Sequence, residues 1–444
     1  MKLLQTKICA RWMLVLATFA CFNAANAQQK PSTAPFDFKG RLLVALSDAD
    51  MVASAYDNGN LGSGDGRDTL SILRLDKPSR DLRAVPLGVS NSVTGPPASV
   101  IVTPSGKYAI VIEVRGRRPT NKPKPKLNDL PIGRNISVID LSRPDHPRVV
   151  QRLRTFEQPY SVSINSQGTL VAVSFGPLGA SKKTPLAFFK FRNGRLSSPL
   201  TPSIPGWISG DYLVDVEFYP RANVLALLNF TRKNLSFVQV SAKGAGLSLS
   251  FWGNAVGVDK APFLVRFSPD GRYALANSTT VPGTPRGSVS CVRLATRRTS
   301  DGKPEHVLVS RAATGVIPEG LTVSPDGRWV VTTNLERSWT PFDDSRQGFF
   351  SSLTLLRLNS QTGQLERVGD FAFDGVLPET AVFDNSSRFL AVTNFDFFDP
   401  SRKGGSITFW RIASDYADPK RAELVKMDYA VPVARGAHSM VIVR

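Results

Sequence analysis

A chain of 444 residues, 42% of them hydrophobic, can bury a large core by itself, which excludes a disulfide-stapled miniature domain or a disordered tail. Its formal charge of +19 favours anionic partners, such as a cell-surface polymer, a lipid headgroup or an acidic protein. No segment approaches the roughly 20 consecutive apolar residues a membrane-spanning helix needs, so no transmembrane span is expected in the mature protein.

Residues 1–27 read as an export leader. Lys2, Lys7 and Arg11 form a basic start, Trp12 to Phe22 an apolar run, and Ala25-Asn26-Ala27 a cleavage site of small residues. The expected mature protein is periplasmic or secreted and begins at Gln28. Cys9 and Cys21 leave with the leader, so Cys291 remains alone and no internal disulfide is possible. Residues 28–38 read as an N-terminal extension and 39–444 as one domain, expected to be a monomer.

From residue 39 onward one pattern repeats: alternating apolar residues, a polar turn, a large or basic residue, an apolar run, and often Asn. A partial copy opens at Lys39-Gly40-Arg41-Leu42, and Thr69–Leu75 follows as a third-strand pattern. Weaker turns come at Pro104–Tyr108, Ser166–Thr169 and Tyr219–Asn223. The clearest copies are Val265-Arg266-Phe267-Ser268-Pro269-Asp270-Gly271-Arg272 and Leu321-Thr322-Val323-Ser324-Pro325-Asp326-Gly327-Arg328. A last turn lies at Asn385–Phe389, and Ser406–Ile412 is again a third strand. The turn markers fall at 40, 106, 168, 222, 271, 327 and 387, which makes seven units. Period-two alternation between Gly, Pro, Asn and Asp turns is strand chemistry.

The expected fold is therefore all-β: a seven-bladed β-propeller of four-stranded antiparallel blades. The first copy lacks an inner strand, while Ala437–Val443 is an inner strand with nothing after it. The C-terminal strand is thus expected to pair into the N-terminal blade and close the ring, removing an exposed edge.

The Ser-Pro-Asp-Gly-Arg turns, with Thr332-Thr333-Asn334 and Val392-Thr393-Asn394, resemble the YVTN repeats of bacterial propellers. That superfamily is WD40-like in architecture and includes lactonase-type propellers similar to 6-phosphogluconolactonase. The resemblance implies the fold, and as one activity a lactonase-like hydrolase or isomerase. Its motif pairs an Arg-His before an inner strand with a Glu after the next strand. Glu113 matches the Glu; the Arg-His is absent before that blade, and His438, with Arg435 three residues earlier, is the only comparable histidine. The resemblance thus implies Glu113 and His438 as the catalytic pair, should the protein be an enzyme.

Residues beside the inner and second strands gather at one end of a propeller channel. For this chain they include Tyr160, Asp215, Glu319 and Glu379, with Asn277, Asn334 and Asn394 after the second strands. Carboxylates converging there suit a binding site or an acid/base pair. The connection 115–134 carries Arg115, Arg117, Arg118, Lys122, Lys124, Lys126 and Arg134 against one Asp129, stiffened by four prolines, which suits docking of an anionic partner. It lacks interleaved aromatics, and nucleic acid is not expected. Phe397 and Phe398, with other aromatics of the last loops, form either a carbohydrate or peptide platform or loop packing. No cofactor is expected, since no phosphate loop, dinucleotide fingerprint or Gly-x-Ser-x-Gly elbow occurs. No metal site is expected either: three histidines are scattered, and Asp65-Gly66-Arg67-Asp68 lacks the other ligands of a calcium loop. The functional expectation is an exported binding or scaffold module acting through its channel mouth and long loops, with the lactonase-like activity as alternative.

Overall fold

The computed structural model describes residues 31–444 except 65, 179–183, 282–283, 299, 301, 341–344, 346–347, 349, 400 and 415–420. The leader and its cleavage site at 1–27 lie outside the described residues. The rest forms seven four-stranded antiparallel blades.

Blade 1 joins Leu42–Ser47, Thr69–Arg74 and Ala84–Gly88 to the last strand of the chain, Ala437–Val443. Leu42 pairs with Val443 and Val44 with Val441, so the closure expected from the sequence is observed. Blades 2 to 5 start at the inner strands Val100–Val102, Pro159–Ile164, Leu213–Phe218 and Pro262–Phe267. Blade 6 comprises Pro318–Val323, Trp329–Asn334, Ser351–Leu358 and Leu365–Phe373. Blade 7 comprises Ala381–Phe383, Phe389–Asn394, Gly405–Ala413 and Glu423–Val433, with a small ribbon of Gly375–Val376 against Asp396–Phe397 beside it.

Burial follows radial position. Second strands such as Val224–Asn229 and Trp329–Asn334 are buried at every residue, because both faces meet neighbouring blades. The outer strand Arg148–Arg154 alternates between exposed and half-buried. One apolar cluster fills each junction between adjacent blades; that between blades 7 and 1 contains Leu43, Phe389, Phe409 and Met440. Phe36 and Phe38 of the N-terminal extension enter the same cluster, so residues 31–38 strap the closing junction.

The Ser-Pro-Asp-Gly turns are self-contained. The Ser268 hydroxyl donates to Asp270 Oδ1 at 2.6 Å and accepts from the Tyr273 amide at 3.0 Å. Ser324 and Asp326 repeat this with Trp329, and Gly271 and Gly327 supply the positive φ the turn demands.

The inner strands enclose a channel cavity of about 500 Å³, mostly apolar, with Glu217 and Arg266 in its wall. At the opposite end the long loops pack on one another: Met51, Leu61, Val93, Leu130, Leu335 and Phe395 form an eighth cluster capping one side of the mouth. The basic connection 115–134 is part of this cap and is ordered. Leu61 and Leu127 exchange backbone hydrogen bonds with Pro125 and Gly59, and Arg118 donates to the Asp50 carbonyl at 3.2 Å.

Candidate ligand site at the channel mouth

The inner strands enter the ring through a recurring device. Gln158, Ala261, Ile317 and Leu377 all hold φ between 46° and 55°, each directly before a proline. In several blades the ladder then skips a residue, between Pro159 and Ser161 and between Pro318 and Gly320. Tyr160 and Glu319 are therefore the extra residues of β-bulges, the local geometry that re-aims a side chain. Glu379 holds the same place in blade 7, after Leu377 and Pro378.

Bulge geometry also corrects the placement of Asp215. The skipped residue of its strand is Val214, so Asp215 falls one position further in. There it accepts from Ser161 Oγ at 2.5 Å, the Val265 amide at 2.8 Å and Arg266 Nη1 at 3.0 Å. It ties three blades together and has no capacity left for a ligand.

The asparagines after the second strands are likewise structural. Asn277 accepts from the Leu264 amide and donates to the carbonyls of Pro318 and Glu319, both at 3.0 Å, which fixes the backbone that presents Glu319. Asn334 bridges Ser352 and Thr354, and Asn394 bridges Ser406 and Thr408.

Glu113 accepts from the Arg134 amide at 3.1 Å and from Asn135 Nδ2 at 2.7 Å, pinning the end of the basic connection. His438 is buried, and its Nε2 meets Asn91 Oδ1 at 2.8 Å. The Asn91 amide nitrogen is already donating to Ser47 and Val89 carbonyls, so Nε2 carries the proton and Nδ1 the lone pair. Burial drives the His438 pKa down to about 3, leaving a neutral ring. No hydrogen bond joins Glu113 to His438 among the described residues.

The mouth has instead a carboxyl pair with a tyrosine. Tyr56 donates to Glu379 Oε1 at 3.0 Å. Burial raises Glu319 to about 8, and burial together with the charges of Glu319 and Asp48 holds Glu379 well above the usual carboxylate range. At neutral pH the pair keeps at least one proton. Glu319 has no hydrogen-bond or ion-pair partner among the described residues. Tyr160 stands edge-on to Tyr212 with ring centroids 5.5 Å apart, and Arg115 lies close enough to act on it. Tyr56 was not visible as a site residue in the sequence: it sits in a four-residue helix, Ala55–Asn58, inside a long loop, with no motif around it.

Glu379 Oε2 has no partner, and neither have three buried polar atoms at the starts of inner strands: Thr380 Oγ1, His438 Nδ1 and Ser99 Oγ. They belong to the starts of the inner strands of blades 7, 1 and 2, three neighbours in the ring. Orphaned buried polar atoms are rare, and several on neighbouring strands call for a ligand or water to complete them.

A further acidic group lies nearby. One carboxylate oxygen from each of Asp48, Asp50 and Asp68 falls within 4.8 Å of the others, a trio that the loop folding assembles from residues twenty apart. Backbone amides of Asp50 and Val93 already donate to Asp48, and those of Ala49 and Asn91 to Asp68. Burial raises Asp48 to about 6 and Asp68 to about 8.

Of the seven basic residues on 115–134, four have partners within the protein, although Lys122 stays exposed. Arg115 and Arg118 cap loop carbonyls, while Lys122 pairs with Asp129 and Arg134 with Glu157. Arg117, Lys124 and Lys126 are exposed and pair with no carboxylate. Among the aromatics, Phe395 is fully buried in the cap and Phe350 stacks on Phe398 at 5.8 Å.

No protein-family model matches the sequence, and no curated protein is similar to it. Solved structures do resemble it in fold. The periplasmic gluconolactonase of Pseudomonas aeruginosa aligns with 15% identity over 91% of this chain and 99% of its own, at a TM-score of 0.60. What the two share is the β-propeller fold. A candidate 6-phosphogluconolactonase of Bacteroides fragilis aligns at 0.59 with 14% identity, over 91% of this chain and 98% of its own. A functionally unknown protein of Desulfotomaculum acetoxidans aligns at 0.58 with 12% identity, over 91% of this chain and 99% of its own. At such identities the likeness extends to the fold alone.

Proposed function

We propose that this propeller is an exported binding protein whose channel mouth takes a neutral, hydroxyl-rich ring such as a sugar lactone. The supporting observation is the protonated Glu319–Glu379 pair, with Glu379 Oε2 and three buried polar atoms of adjacent inner strands unpartnered. A protonated carboxyl of the pair donates to a ligand carbonyl, while unprotonated carboxyl oxygens and His438 Nδ1 accept from hydroxyls. Tyr160 offers an aromatic wall. A charged sugar acid is excluded by the same carboxyls.

Hydrolysis of that ring is the second reading, favoured by the unpartnered Glu319. In its ionised form Glu319 takes a proton from water as the water oxygen attacks the lactone carbonyl. The ring carbon–oxygen bond then breaks, and protonated Glu379 gives its proton to the leaving alkoxide. This reading replaces Glu113 and His438 with Glu319 and Glu379. Arg117, Lys124 and Lys126 supply a surface for an anionic partner on the same face.

Calorimetric titration with glucono-1,5-lactone, with parallel assay of gluconate release, tests both readings. Binding without turnover supports the binding protein, and turnover lost in Glu319→Gln supports hydrolysis. Absence of saturable binding in the millimolar range would overturn both.

A further inference from the structure

The turn end of the channel holds charges that the mouth does not use. In every blade one inner-strand residue pairs with the third residue of the second strand, and these equivalent residues mark one level of the channel. In blades 7, 1 and 2 they are Val382, Val441 and Ile101. In blades 3 to 6 they are Ser163, Glu217, Arg266 and Thr322. Half of the ring is thus apolar and half polar. All but the buried Ser163 line the channel cavity of about 500 Å³, whereas Glu319, Glu379 and Tyr56 do not. Such a volume lies within the roughly 300–1,000 Å³ range of ligand clefts.

The polar half has bonding capacity left over. Arg266 uses only Nη1, which donates to Asp215 Oδ2 at 3.0 Å and to the Val265 carbonyl at 2.7 Å. Its Nε and Nη2 make no hydrogen bond among the described residues. Glu217 accepts once, through Oε2 from the Ser163 hydroxyl at 3.3 Å, and its Oε1 accepts from no described residue. The Thr322 hydroxyl is likewise without a partner among them. Glu217 and Arg266 stand in adjacent blades without pairing, because the guanidinium turns to Asp215. All three residues are half-buried, and none of the spare atoms is among the fully buried ones that lack a partner. They open onto the cavity these residues line.

A ligand that completes this wall carries an anion and a cation close together, with an apolar body for the other half of the ring. An amine alone leaves the Arg266 donors unmet, and a carboxylate alone lies against Glu217. The rim at this end consists of turn residues such as Pro220, Pro269 and Pro325, so entry does not pass the loop cap.

We infer that the turn end of the channel is a second ligand site, which takes a free α-amino acid with an apolar side chain. The carboxylate accepts from Arg266 and Thr322, the ammonium donates to Glu217 Oε1, and the side chain lies on Ile101, Val382 and Val441.

Calorimetry with L-leucine and L-phenylalanine tests the inference, each compared with the amine and the acid that lack one of its charges. At least one amino acid is expected to bind saturably in the millimolar range or below, and its amine and acid at least tenfold more weakly. Glu217→Gln, which keeps the shape and removes the charge, is expected to weaken binding about tenfold. Val382→Phe, which fills the apolar half, is expected to abolish it. Glu217→Gln should melt no lower than the parent and leave binding of glucono-1,5-lactone unchanged, which separates the two sites. No saturable binding by either amino acid, an amine or acid that binds as tightly, or binding that survives both substitutions would overturn the inference. Should Val382→Phe fail to fold, Glu217→Gln and the single-charge analogues decide.

Discussion

Gly327 holds φ at +72° in its Ser-Pro-Asp-Gly turn, and a methyl group added there would meet nothing nearer than Pro269 Cδ at 3.8 Å. Gly327→Ala therefore tests backbone strain without a clash, and a loss of about 1 kcal/mol in chemical denaturation is expected. Glu113 makes a different prediction. Removing its carboxylate in Glu113→Ala leaves the Arg134 amide and Asn135 Nδ2 without an acceptor. Stability should fall by about 1–3 kcal/mol with channel ligand affinity unchanged, as measured by denaturation and calorimetry. A collapse of ligand affinity alone would return Glu113 to the site. The family resemblance pointed to Glu113 by its place after a second strand, but place in a repeat does not reveal whether a carboxylate is already occupied. His438 was legible as an inner-strand residue; its neutrality was not, because that depends on the burial the whole ring imposes.

At the scale of the blade, alternation and turn residues were enough to locate the strands and count seven units, since strand pairing depends on local pattern. The bulges were not legible. One extra residue in an inner strand shifts every later side chain, and that shift separates Asp215, buried in an inter-blade knot, from Glu319 at the mouth. Asp215→Ala should cost about 3 kcal/mol or more, because it strips Arg266 of its carboxylate and the Val216 and Val265 amides and the Ser161 hydroxyl of their acceptor. Denaturant unfolding checks this, and a change within error would mean the knot is dispensable. Long-loop contacts such as Tyr56 with Glu379 join residues 323 apart, and no local pattern encodes them.

For the whole molecule, closure and charge set behaviour. Ala437–Val443 supplies the inner strand of blade 1, so removing it exposes the edge of Leu42–Ser47 and half of two apolar junctions. A chain ending at residue 436 is expected to lose its single cooperative melting transition. The carboxyls at the mouth impose a pH dependence of definite sign. Glu319 and Glu379 bind protons more tightly folded than unfolded, so stability is fully present below their unfolded values near 4.5 and declines as pH rises toward about 8. Each carboxyl contributes at most about 1.4 kcal/mol per pH unit, and Glu319→Gln should flatten the profile. The central claim is that a protonated carboxyl pair at the channel mouth holds a neutral ring. Its most direct test is the affinity for the δ-lactam of gluconic acid, which resists hydrolysis, measured by calorimetry from pH 6 to pH 9. Saturable binding that is flat at low pH and weakens about tenfold per unit above about 8 is predicted, as the donor proton is lost. Affinity that is absent throughout, or indifferent to pH across this range, would contradict it.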